Sequence, residues 1–191
     1  LYTVSGVVML PVILRRLGLA EYGIYSLGYS IMAYLTILDL GFFNTAIRYI
    51  AQYRAKQDWK GLHTLLGMFF VIYLFLSCIV IVISIVLYFH VGSFFGQTMT
   101  QEECGLIKRC LVVIAINVAL TFPLSIFKAT AIAYEHFFIQ RGLEILRLVA
   151  NFVLTIIFIE LGFRVFSLIM ITALCNIAIL LILLFYSITT L

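Results

Sequence analysis

The sequence predicts an all-α, polytopic membrane helix bundle of about six transmembrane helices, and three observations carry that prediction. Of 191 residues, 65% are hydrophobic and only 10% charged, with a mean hydropathy of +1.22. A water-soluble domain of this length carries about 25% charged residues, because its surface must be solvated; here there are too few to cover one. The charges that exist fall mostly between long apolar runs, and several runs reach the roughly 20 residues that a bilayer span requires. No Pro/Gly-rich linker divides them, so residues 1–191 read as one transmembrane bundle.

The elements follow from the apolar runs and the signals between them. Val4 to Leu14 is too short to span and lacks the charged flank of a signal peptide. The expectation is therefore a fragment whose first helix, Leu1 to Leu14, is truncated. Arg15, Arg16 and Gly18 close that helix, since cations and a glycine suit its negative dipole end. Glu21 opens a second span, Tyr22 to Phe43, with a helical continuation towards Arg54. The third run covers Leu62 to Phe89, the fourth Leu106 to Ala133, the fifth Phe138 to Leu161 and the sixth Val165 to Tyr186. Arg54, Lys56, Asp58 and Lys60 make the densest charged loop. That cluster favours a topology with the even-numbered loops and both ends of the bundle in the cytoplasm.

Several function classes drop out on chemistry. The net charge of +4 does not suggest nucleic acid, because the basic residues lie between apolar runs rather than on one water-facing surface. Cys78, Cys104, Cys110 and Cys175 form no CxxC pair and no zinc spacing. Cys78 and Cys175 read as small hydrophobes, and Cys104 and Cys110 are the only two placed to approach one another. His63, His90 and His136 are scattered near predicted interfaces, and Glu135-His136 is the only adjacent acid–His pair. No phosphate loop, paired catalytic carboxylates or cofactor motif is present. The expectation is a protein that is not an enzyme and carries no cofactor or metal.

Charges inside apolar helices are costly, so they face a cavity or a partner. On the fifth span Gln140, Glu144, Arg147, Asn151 and Thr155 fall within about 80° at the helical period. Glu144 and Arg147 are spaced to neutralise one another. That stripe is either a salt-bridged packing seam or a cavity lining. On the fourth span Asn117, Thr121 and Lys128 lie within about 40°. Pro123 among them deprives the Ala119 carbonyl of its helical donor, which polar side chains or cavity water must replace. Lys128 either faces that cavity or snorkels to the interface. On the second span Asp39 shares a side with Tyr25, Met32 and Thr36; it is a proton or ion site, or the cap of a break at Gly41. Gly23, Ser26, Ser30 and Ala33 make a small-residue face for close helix approach. Thr172 and Asn176 add a weaker polar pair on the sixth span.

Short motifs in order then carry a resemblance. Leu10-Pro11, Arg16-Leu17-Gly18, Glu21-Tyr22-Gly23-Ile24-Tyr25-Ser26, Leu38-Asp39-Leu40-Gly41-Phe42 and Ala46-Ile47-Arg48-Tyr49-Ile50-Ala51-Gln52-Tyr53 resemble the opening of polysaccharide-transport flippases of the Wzx type. The rest of the chain agrees in span number. The resemblance implies the multidrug/oligosaccharidyl-lipid/polysaccharide exporter superfamily and a MATE-like transporter of two six-helix lobes. The chain would then be most of the amino-terminal lobe, with the carboxy-terminal lobe missing. It would lie in a bacterial or archaeal inner membrane, contact membrane lipid, and move a lipid-linked (undecaprenyl-diphosphate) oligosaccharide by alternating access, with possible proton or sodium coupling. By their chemistry Arg48, Lys128 and Arg147 are the candidates to attract a diphosphate. Asp39 and Glu144 are candidates to balance charge or carry a proton, and Asn117, Thr121, Asn151 and Thr155 to line the cavity. The alternatives are a multidrug exporter of the same superfamily, whose cavity would be acidic, and a membrane glycan polymerase or acyltransferase. The latter needs a polar catalytic loop, for which only the His90–Gly105 connection is available. A non-transporting scaffold would instead pair every intramembrane charge.

Overall fold

A computed structural model describes the backbone of residues 2–95, 99–135 and 137–190, and the side chains of these apart from 2–12, 94, 95, 137, 188 and 190. His136 and part of the His90–Gly105 connection lie outside the described residues. The chain forms six helices: α1 Tyr2–Ile37, α2 Phe42–Ala55, α3 Trp59–Phe95, α4 Gln101–Ala133, α5 Phe137–Glu160 and α6 Val165–Thr190. Among the described residues four helices are long and apolar enough to cross a membrane, and the bent pair Ile13–Ile37 with Phe42–Ala55 makes a fifth. The all-α polytopic bundle is as expected from composition.

The first two expected spans are joined. Helix runs on either side of Gly18, whose φ of 80° and ψ of 173° interrupt a single α1. Glycine alone adopts that backbone without strain. The second expected span also stops earlier than its apolar run, at Ile37 rather than Phe43. Leu40 (φ 48°) and Gly41 (φ 82°) take left-handed conformations there, and α2 departs at 45°. The Asp39 carboxylate accepts the Phe43 N–H at 3.2 Å, so it caps the first turn of α2 as one of its two readings required. The longer α3 and α4 exceed their apolar cores because polar ends extend them. Thr100 begins α4 with a reciprocal cap in which the Glu103 carboxylate accepts the Thr100 N–H at 2.8 Å and the Thr100 hydroxyl accepts the Glu103 N–H at 3.3 Å.

The centre of the bundle is α4, which touches each of the other five helices. Its buried row Ile107, Cys110, Ile114, Val118, Phe122, Ile126 and Ala129 faces Leu62, Leu65, Phe69, Tyr73, Leu76 and Val80 of α3. Both rows advance by three and four residues, the spacing of one helix face. Since lipid tails are as apolar as leucine, these seams are held by close packing rather than by removal from water. Outward-facing residues such as Val71, Phe75, Val82 and Val86 of α3, and Leu146, Val149 and Ile157 of α5, are exposed hydrophobics. That is the surface a bilayer solvates.

Close approach to α1 occurs at Gly28, where an added Cβ would stand 3.1 Å from Ile169 and 3.3 Å from Ile114. The face expected to serve that purpose, Ser26, Ser30 and Ala33 with Gly23, stays on the outside. Periodicity showed two faces of α1, and packing chose between them. Ion pairs fasten one end: Arg16 to Glu160 at 2.8 Å and Arg164 to Glu21 at 3.3 Å. Glu21 also accepts the Val165 N–H at 3.3 Å, so it caps α6 besides opening its own segment. At the other end Arg54 donates to the Ala133 carbonyl at 3.2 Å and lies 4.6 Å from the centre of the Tyr134 ring.

The carbonyl orphaned by Pro123 has its replacement. Ser77 of α3 places its hydroxyl 2.7 Å from Ala119 O and 2.8 Å from Tyr73 O, sharing one proton between them. Ser77→Ala is therefore expected to cost about 1–2 kcal/mol of stability in detergent. In a Pro123→Ala background the helical donor returns and most of that cost should vanish. A thermal-melt double-mutant cycle with no coupling between the two sites would contradict this.

Candidate functional site

The polar stripes of α4 and α5 meet across one cleft. It encloses about 770 Å3 between α1, α4, α5 and α6, and Asp39, Asn117, Thr121, Lys128, Glu144, Arg147 and Asn151 all line it. Their helical registers bring them there. On α4 the stripe sits one face round from the α3 seam, while on α5 the opposite side carries the lipid-facing Leu146, Val149 and Ile157.

The end of the cleft nearest the α1–α2 break is ionic. Lys128 Nζ donates to Glu144 Oε1 at 2.8 Å, and Gln140 Nε2 donates to the same oxygen at 3.2 Å. Arg141 Nη1 donates to Glu144 Oε2 at 3.2 Å. Lys128 also stands 5.8 Å from the centre of the Phe43 ring. Lys128 and Glu144 are both half-buried while Arg141 is mostly exposed, so the Lys128 pair is screened less and is the stronger of the two.

One turn deeper an amide joins three helices. Asn176 of α6 accepts from Arg147 Nη1 at 2.7 Å. Its own amide donates to Asn117 Oδ1 at 3.0 Å and to Thr121 Oγ1 at 2.9 Å. Beyond it Asn151 Nδ2 donates to Thr172 Oγ1 at 3.1 Å. Thr172 gives its single proton to the Leu168 carbonyl at 2.9 Å, so the Tyr29 hydroxyl, 3.3 Å from Thr172 Oγ1, is the donor in that contact. The cleft thus offers two cations, two carboxylates and a series of amide and hydroxyl groups in a setting of low dielectric.

A family model described as polysaccharide biosynthesis protein matches residues 2–190. The chain belongs to that family. No curated protein and no solved structure shows significant similarity to it. Membership in this family and the apolar helices together make it a multi-pass membrane protein of polysaccharide biosynthesis.

Within this family member the remaining candidates are placed differently. Arg48 is exposed on α2 and does not line the cleft. Nine residues after Asp39, Arg48 is half a turn round by the helical period, and it lies on α2 beyond the 45° bend at Leu40–Gly41. Thr155 is only 2% exposed and also stands off the lining; its hydroxyl lies 3.5 Å from Asn151 Oδ1 behind the wall. Glu144 pairs with Lys128 of α4 and with Arg141 of its own helix, while Arg147 bonds Asn176 of α6, so bonds between helices are added to local charge balance within α5. All four cysteines are free thiols, Cys104 and Cys110 included.

Sequence reasoning underrated two parts of the wall. Asn176 looked like a minor polar residue and proves to be the junction. Tyr22, Tyr25 and Tyr29 line the cleft from α1, and only Tyr25 had been placed on a polar side. Their spacing of three and four residues was the available signal, but aromatic residues at that spacing also describe an ordinary buried face. Asn176→Leu should remove one hydrogen bond each from Arg147, Asn117 and Thr121 and cost about 3 kcal/mol, visible as a lower melting temperature in detergent. A melting temperature equal to the wild type would mean that cleft water satisfies all three groups.

Proposed function

We propose that this protein is a Wzx-type flippase that carries a lipid-linked oligosaccharide across the membrane by alternating access, without chemical conversion of its cargo. The observation that carries the reading is the pair Lys128 and Arg147 lining one cleft among amide and hydroxyl groups, in a polysaccharide biosynthesis family member. A lipid diphosphate needs cations and several hydrogen-bond donors in a place shielded from bulk water. Glycan hydroxyls need the amides and hydroxyls that continue along the same wall. In this reading the chain forms one lobe, and a second lobe of the same protein closes the open side of the cleft. Arg48, on the exposed face of α2, meets the diphosphate only at the mouth.

Charge balance sets the sequence of events. Lys128 and Arg147 are matched by Asp39 and Glu144, so a diphosphate entering this cleft must take Lys128 away from Glu144. Protonation of Glu144 would release Lys128 and supply the coupling to a proton gradient. A multidrug exporter for cationic compounds would instead place only acids in the cleft, and the Lys128–Glu144 arrangement speaks against that.

Two measurements test the proposal. With Ala at Lys128 or at Arg147, transport by the full-length protein, normalised to the folded protein in the membrane, is expected to fall about tenfold or more. Wild-type transport in both variants would sink the cavity role. Glu144→Gln removes the competing carboxylate charge and should bind farnesyl diphosphate at least as tightly as the wild type. Clearly weaker binding would show that Glu144 positions Lys128 rather than competing for it.

A further inference from the structure

The ionic end of the cleft accounts for a phosphate, but not for the ring-lined wall beyond it. Tyr22, Tyr25 and Tyr29 face the cleft from α1, with Phe152 of α5 also in the lining. At positions i, i+3 and i+7 the three tyrosines lie within about 60° of one another on a helix and rise roughly 10 Å along it. That length matches about two pyranose rings. The Tyr25 and Tyr29 ring centres are 4.7 Å apart at a tilt of 49°, which leaves one ring free to present its face.

Three features separate this wall from ordinary core packing. Tyr29 is 38% exposed within the bundle, yet it faces the same cleft as Arg147 and Asn151 rather than lipid alone. Its hydroxyl donates to Thr172 at 3.3 Å, which also accepts from Asn151, so the polar tip is satisfied within the wall and the ring face is what the cleft meets. Beside the ring's polar tip stands a planar amide, Asn151, which shares the Thr172 hydroxyl with Tyr29 and also lines the cleft. A pyranose has an apolar face of axial C–H groups and a rim of hydroxyls. An aromatic face edged by an amide is complementary to both, since the ring supplies rigid apolar area and the amide both donates and accepts.

We propose that Tyr29, with Tyr25 next to it and Asn151 at its polar edge, forms a carbohydrate subsite that stacks the first sugar of the cargo. The subsite rests on the flippase reading and adds to it a place for the glycan. Asn151 lies four residues beyond Arg147 and seven beyond Glu144, roughly 6–10 Å of helical rise. A sugar on Tyr29 is therefore about one residue away from a diphosphate held by Lys128 and Arg147. The headgroup enters with its charge at the ionic end and its sugar on the rings, which fixes its direction in the cleft.

The test compares two probes on the full-length protein in nanodiscs: farnesyl diphosphate, and farnesyl diphosphate carrying a single hexose. Wild-type protein is expected to bind the glycosylated probe about fivefold more tightly than the bare one. Tyr29→Leu should abolish that difference and leave the bare diphosphate bound as before, while Tyr29→Phe should keep it. Tyr29 is the position to change because Tyr25 packs against both core clusters and its loss threatens folding. A sugar increment that survives Tyr29→Leu overturns the subsite, as does equal loss of both probes. Loss of the increment in Tyr29→Phe also overturns it, since the hydroxyl and not the ring would then be responsible. Loss in Tyr29→Leu alone upholds the subsite even if Lys128→Ala leaves the bare diphosphate bound, an outcome that overturns only the diphosphate assignment.

Discussion

The carboxamide of Asn176 draws α4, α5 and α6 into one polar junction, through Arg147, Asn117 and Thr121. In a bilayer interior each of these groups would lose several kcal/mol if left unpaired. Their mutual bonds are consequently what allows a cleft with charges in it to exist. The amide is suited to the task because it donates twice and accepts at the same time. Asn117, only 3% exposed, depends on it most. A purely apolar side chain at 176 would take one hydrogen bond each from a cation, an amide and a hydroxyl.

The same requirement explains the bundle's other irregularities. Pro123 removes one helical hydrogen bond, and Ser77 from the neighbouring helix supplies another. The turn at Leu38–Gly41 frees the start of α2, and Asp39 takes up the Phe43 N–H. Arg54 serves the end of α4 and Glu21 the beginning of α6. Each break in regular helix is met by a side chain from the sequence nearby or from a packed neighbour. One of the residues so employed, Asp39, also lines the cleft, so a side chain that repairs the backbone can at the same time face the cavity.

The cleft itself is graded along its length. Carboxylates and cations stand at the end near the α1–α2 break, the amide junction follows, and tyrosine rings stand towards the Glu21 end. The ionic contacts at Lys128 and Glu144 hold that end of the wall in register; under the flippase proposal, they are the contacts that an anion exchanges.

Composition alone determined that this chain is a membrane bundle, because 10% charged residues cannot solvate a surface of this size. Helical period alone put Glu144, Arg147 and Asn151 on one side of α5, and Asn117, Thr121 and Lys128 on one side of α4. Those assignments need only the geometry of a single helix. What faced what could not be read in that way. Glu144 turned to Lys128 across the cleft, Arg147 reached Asn176, Gly28 rather than Gly23 admitted the neighbouring helices, and Arg48 came to lie beyond a bend. Each of these outcomes depends on how rigid helices pack around α4. A one-dimensional pattern holds the direction of a side chain on its own helix, but not the identity of the partner that packing brings opposite it.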